Sequence, residues 1–149
     1  MKELFVEYEE IKKEHKDAKK EYDKALEKKA LYAYSILPGG SKADNSISKN
    51  NTLKDKFLTY TIKMSEIDKE IEVRRNLADV LAYRLKLKLL DLRESKDVLD
   101  KIYVYRYIDR LPVNKFYRLV GYSKKHIYRK LEEISKKIEM TQNVIKLDL

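Results

Sequence analysis

Residues 111–137 read LPVNKFYRLVGYSKKHIYRKLEEISKK, and the punctuation of this stretch decides how the chain folds. Pro112 suits the first turn of a helix, where its missing N–H would have no partner anyway. Gly121 can take the left-handed conformation that closes a helix, and Ser123 is a good N-cap for the next one. The stretch therefore predicts a helix from Pro112 to Val120 and another over residues 123–138, joined by a turn so short that the two must cross steeply. Phe116, Val120, Ile127, Leu131 and Ile134 are spaced to fill the corner between them, and Ile138 extends the inward face. A preceding helix is expected from about Ser95 to Ile108, with Val98, Leu99, Ile102, Val104 and Tyr105 turned inward.

Upstream the pattern is helical throughout. Leu4, Tyr8, Ile11, His15, Ala18, Tyr22, Ala25, Lys29, Tyr32 and Ile36 recur on alternating four- and three-residue steps, which predicts one amphipathic helix over residues 1–37. Pro38-Gly39-Gly40 stops it, and the turn formers through Asn51 mark residues 38–51 as a linker. Asn51 or Thr52 is placed to cap a second long helix over 52–93. Its seam runs Leu53, Phe57, Tyr60, Met64, Ile67, Ile71, Arg74, Ala78, Leu81, Leu85, Lys88 and Leu92. A helix of that length spans about 60 Å, too long to bury its stripe alone, so it must pack on the first helix, on a second copy, or on both. The expected fold is all-α: a long N-terminal helical hairpin or coiled-coil arm, then a small helix-turn-helix domain over 94–149. Three glycines, two prolines and 40% charged residues leave no room for a sheet of any size.

The charge is concentrated. Residues 101–137 hold eleven basic residues against Asp109, Glu132 and Glu133, while the other 112 residues carry 23 basic and 22 acidic groups. The net charge of +9 therefore belongs almost wholly to the helix-turn-helix segment, and a polyanion is its natural partner. Lys124, Lys125, Tyr128 and Arg129 fall in the first two turns of the last helix, opposite its apolar face. In such motifs those turns enter the major groove of double-stranded DNA, where Arg and Lys reach guanine O6 and N7. Lys115, Arg118, Ser123, His126 and Lys130 are the candidates for the phosphate backbone. Lys124 to Lys130 contains no acid, whereas an ordinary solvated helix face mixes both signs. A single reader of this size gains affinity by pairing half-sites, so a homodimer through the helices of residues 1–92 is expected, and removing those residues should leave a folded but weaker DNA binder.

Arg106-Tyr107-Ile108, Gly121-Tyr122-Ser123 and Ile127-Tyr128-Arg129-Lys130-Leu131 give the stretch Val98 to Leu131 a further meaning: it resembles the promoter-reading fourth region of sigma-70 factors. The order of parts looks like small phage regulators of the ArpU and RinA type, with a helical N-terminal part, a Gly39-Gly40-Ser41 linker before a long helix, and a C-terminal sigma-like reader. The resemblance implies a transcriptional regulator of phage or prophage genes, with base contacts carried onto Lys124, Lys125, Tyr128 and Arg129. The chain departs from the pattern at Tyr117, where relatives carry a small residue, and at Asn114 and Lys115, where they carry acidic or polar ones. A larger side chain at Tyr117 is expected to turn outward or to widen the crossing.

Other classes are less well served. With no cysteine there is neither a disulfide nor a thiolate metal site. His15 and His126 are far apart, no glycine-rich phosphate loop exists, and no catalytic activity or cofactor is expected. No run reaches the ~18 apolar residues of a membrane span, and the Met1 start carries no apolar leader, so the expected location is the cytoplasm. Two alternatives share the DNA-binding premise: a DNA-packaging protein like phage small terminase subunits, whose reader is generally N-terminal, and a sigma-like factor that recruits RNA polymerase.

Overall fold

The three–four spacing of the N-terminal seam is realised in the computed structural model, which describes residues 3–36 and 50–147, as a single helix, α1 (Leu4–Ile36). The second seam forms α2 (Asn50–Glu94). There follow a short α3 (Val98–Tyr103), a π-helical turn over Val104–Ile108, α4 (Val113–Val120) and α5 (Lys124–Leu147). Among the described residues there is no strand, and no helix is long and apolar enough to cross a membrane. The protein is all-α. The expected linker, residues 38–51, lies outside the described residues apart from the start of α2.

The chain divides into two compact units. One, residues 16–80, is a helical hairpin made of the later part of α1 and the earlier part of α2. Ala18 and Ala25 are buried on one helix, Ile67 and Ala78 on the other. Tyr32 stacks on Tyr60 with ring centroids 5.6 Å apart, and the Lys63 ammonium lies over the Tyr32 ring, 5.8 Å from its centroid. Lys29 meets Asp68 at 2.7 Å and Lys28 meets Glu70 at 3.4 Å. These ion pairs are exposed and worth about 0–1 kcal/mol each, so they set register more than stability. The first seam is thus used within the chain: alanines at its narrow points and Tyr32 at its wide end face the second.

The other unit joins residues 1–15 to residues 81–149. Its core is Phe5, Val6, Tyr8, Leu92, Ile102, Tyr103, Val104, Val113, Phe116, Ile127 and Ile134. The first turns of α1 and the end of α2 are therefore built into the same core as the C-terminal helices. Phe5 and Tyr107 both stack on Tyr103, with centroids 5.4 and 5.0 Å away, and Tyr8 meets the Tyr103 ring edge-on at 6.1 Å. Tyr105 stacks on Phe116 at 5.4 Å, fixing α4 against the π turn.

Polar links close the same unit. Asp100 is 2% exposed and accepts hydrogen bonds from the Phe5 backbone N–H at 3.1 Å and from the Ser95 hydroxyl at 2.8 Å. It thereby satisfies one of the first-turn donors of α1 from 95 residues away. The Tyr103 hydroxyl donates to the Glu9 carboxylate, Lys137 pairs with Glu3, and Lys88 meets Glu7 at 2.7 Å.

Two helix starts differ from expectation. α3 begins at Val98, not near Ser95, because the Ser95 hydroxyl is committed to Asp100 and the Asp97 backbone N–H, leaving Asp97 to cap the helix through the Leu99 N–H at 2.8 Å. Pro112 stands one residue before α4 in extended backbone, φ −70° and ψ 154°, and Val113 is the first helical residue. The last helix runs to Leu147, nine residues past its expected end at 138.

Candidate nucleic-acid interface

The turn between α4 and α5 follows from two residues. Gly121 takes φ 87° and ψ 19°, and the N–H groups of Gly121 and Tyr122 both return to the Tyr117 carbonyl, at 3.1 and 3.3 Å, closing α4. A Cβ on Gly121 would meet nothing within 4 Å, so the backbone angle alone calls for glycine there. The Ser123 hydroxyl accepts from the His126 N–H at 3.3 Å, capping α5 from the expected position. Ile127 and Ile134 are fully buried, and Leu131 and Ile138 pack on the same core, which fixes the rotation of α5 about its axis.

That rotation decides what the rest of α5 shows. Lys124, Lys125, His126, Tyr128 and Arg129 are all exposed, and Tyr128 keeps 59% of its surface. No acid lies among residues 124–131, and among the described residues neither Lys125 nor Arg129 has an acidic partner. Lys115 and Arg118 are exposed on neighbouring α4. Lys130 sits differently from the other candidates: it is half-buried and its ammonium lies 3.8 Å from Glu133. Further along, Lys136 pairs with Glu132 at 3.6 Å and Lys137 with Glu3. Within α5 the basic residues without an acidic partner among the described residues thus lie in its first two turns, beside Lys115 and Arg118 of α4.

Tyr117 organises this surface. Its ring is half-buried against the core, the Lys124 ammonium lies 5.2 Å from its centroid and the Arg118 guanidinium 5.6 Å, and its hydroxyl accepts from Arg118 Nε at 3.0 Å. Its bulk is neither flung outward nor buried: it forms a platform on which two cations rest, each contact worth about 0.5–1 kcal/mol at an exposed site. From the sequence alone Tyr117 is a steric problem. The signal it contained was an aromatic seven residues before a Lys and one before an Arg across a tight turn. Tyr122 plays a smaller part of the same kind, meeting the His126 ring edge-on at 6.0 Å.

The arrangement offers a polyanion exposed cations at the start of α5, with Lys124 and Arg118 held on the Tyr117 ring. Among the described residues no three His, Asp or Glu side chains converge as metal ligands. An open groove of about 500 Å³ in this unit is lined by Glu7, Glu14, Arg84, Leu87 and Asp91, none of them on α4 or α5. No protein-family model, no curated protein and no solved structure matches the chain.

Proposed function

We propose that the protein is a sequence-specific, double-stranded DNA-binding transcriptional regulator that reads the major groove with the start of α5. The observation that carries this reading is the acid-free, exposed surface of Lys124, Lys125, Tyr128 and Arg129 at the opening of a helix whose other side is locked into a core. In that position Lys and Arg reach base edges while Tyr128 contacts a thymine methyl or a phosphate. Lys115, Arg118, Ser123 and His126 hold the sugar–phosphate walls, with Lys130 completing the set on release from Glu133. The order of parts along the sequence extends the proposal to phage or prophage genes, with the protein working in the cytoplasm as a homodimer.

The test is selection of bound fragments from a random duplex pool, followed by affinity measurements on the recovered site. Lys124→Ala with Arg129→Ala should abolish preference for that site while leaving helicity and melting temperature unchanged. Affinity of the parent should fall with salt at a log–log slope of about −4 to −5 for five phosphate contacts. Undiminished site preference in the double variant would sink the assignment, and a pool that shows no enrichment would sink sequence-specific binding altogether.

A further inference from the structure

The helix α2 carries two apolar stripes, and only one of them is covered. Ile67, Ala78, Leu81 and Leu92 lie on the buried seam. About 140° around the helix, at 100° per residue, lie Val73, Leu77, Val80, Tyr83, Leu87 and Leu90, each between 44 and 65% exposed. Scattered exposed apolar residues need no explanation, but these six follow steps of four, three, three, four and three. Val73, Val80 and Leu87 repeat every seven residues, and so do Tyr83 and Leu90. That is the spacing by which one helix receives another along a coiled-coil seam.

We infer that this stripe is the surface on which a second copy of the chain pairs, α2 against α2 in parallel and in register. The flanking charges argue for self-pairing. With Val73, Val80 and Leu87 as one core position and Tyr83 and Leu90 as the other, Asp79 and Lys86 fall just before the core residues, and Arg84 and Asp91 just after; all four are exposed. In a parallel pair each residue of the first kind faces the residue five further along the partner. Asp79 then meets Arg84 of the second copy and Lys86 meets Asp91, twice each by symmetry. An antiparallel pair brings at most one of these two oppositely charged sets together in any register. β-branched Val73 and Val80 at the first core position and Leu90 at the second favour two strands, with Asn76 and Tyr83 as the other residues of the second position. The six side chains expose roughly 600 Å² per chain, so a pair would bury on the order of 1,200 Å², the lower edge of a specific interface, which fits a micromolar rather than a permanent dimer.

The inference sharpens the dimer of the proposed function but rests on nothing about DNA, and its test contains none. Sedimentation of the full chain from low to high micromolar concentration should show a monomer–dimer equilibrium. Leu87→Glu should weaken it at least tenfold without changing the melting curve of the monomer. Asp79→Arg should weaken it too, and adding Arg84→Asp should restore it. Because the chain has no cysteine, Val73→Cys and Leu87→Cys each report geometry directly: both single variants should form a disulfide-linked dimer on mild oxidation, since only a parallel in-register pair places both positions beside themselves. A monomer at all concentrations, an unchanged dimer in the Leu87→Glu variant, or cross-linking at one position and not the other would overturn the inference. Site-specific DNA binding by a chain that stays monomeric would separate its failure from that of the proposed function.

Discussion

At the level of single residues, the oddest placement is Asp100, a carboxylate buried at the first turn of α1. Burial pushes its pKa above the usual carboxylate range, and the bonds from Ser95 and the Phe5 N–H only partly oppose that. Glu3, whose charge also acts on Asp100, goes the other way, its pKa lowered chiefly by the hydrogen bond from Lys137. The linkage signs are opposite. A carboxyl whose folded pKa is raised contributes stability that is full in acid and fades as pH rises through the folded value; one whose pKa is lowered contributes stability that is full above its unfolded value and fades on acidification. Between about pH 5 and 3 the two partly cancel. Asp100→Asn should therefore steepen the loss of stability on acidification and Glu3→Gln should make it shallower, as read by urea midpoints across that range. The same direction of change in both would show that the sign argument is wrong. Asp100→Ala, which strands the buried Phe5 N–H, should cost about 1–3 kcal/mol at neutral pH. None of this was legible in the sequence: Asp100 looks like one more polar residue in a charge-rich helix, and only the return of the chain start to the C-terminal core makes it a cap.

For the elements, legibility tracked local chemistry. The end of α4 and the start of α5 emerged where expected because Gly121 and Ser123 do their work within three residues of themselves. The start of α3 and the π turn did not, because both depend on distant partners. Ser95 is diverted to Asp100, and the widened turn sets Tyr105 against Phe116, with the Asp109 N–H reaching the Val104 carbonyl at 2.9 Å and the Leu111 N–H the Tyr105 carbonyl at 2.9 Å. The turn ends with Arg110 at φ 55°, a left-handed residue that is not glycine. Arg110 and Gly121 make a matched pair of tests. Arg110→Gly removes a left-handed side chain and should stabilise, or cost nothing, within about 1 kcal/mol once the extra freedom of the unfolded glycine is counted. Gly121→Ala has empty space for its Cβ, so its cost should be the backbone term alone, about 1–2 kcal/mol, with Gly121→Asn costing less. A loss well above that for Gly121→Ala, measured by denaturant titration, would mean that the turn packs more tightly than its geometry indicates.

For the whole molecule, two long seams and a basic helix-turn-helix segment are legible in the sequence, but not where the cooperative unit begins. The boundaries at residues 37, 51 and 93 follow breaks in helical pattern, whereas the packing gathers residues 1–15 and 81–149 into one unit. Periodicity reports that a residue is buried, not against which part of the chain, so Phe5 and Leu92 read as arm residues although they are 0 and 1% exposed in the core that also holds Ile127 and Ile134 of α5. This changes the expected result of truncation. Removing residues 1–92 takes away Phe5, Tyr8 and Leu92, each worth about 1.5–3 kcal/mol of burial, together with the Phe5–Asp100 bond, a loss comparable with the whole stability of a small domain. The fragment 93–149 should therefore lack a cooperative thermal transition and bind DNA poorly for want of structure, in place of the folded, weaker binder that the seams suggest. Excising the hairpin is the contrasting case. Glu7 meets Lys88 in the antiparallel pair, so His15 stands level with residues 80–81, and helices 8–10 Å apart can be rejoined by about six glycine and serine residues. A chain of residues 1–15, that linker and residues 81–149 should melt cooperatively by circular dichroism. Cooperative melting of 93–149 alone, or none in the rejoined chain, would mean that the core beneath α5 is closed by other residues than these.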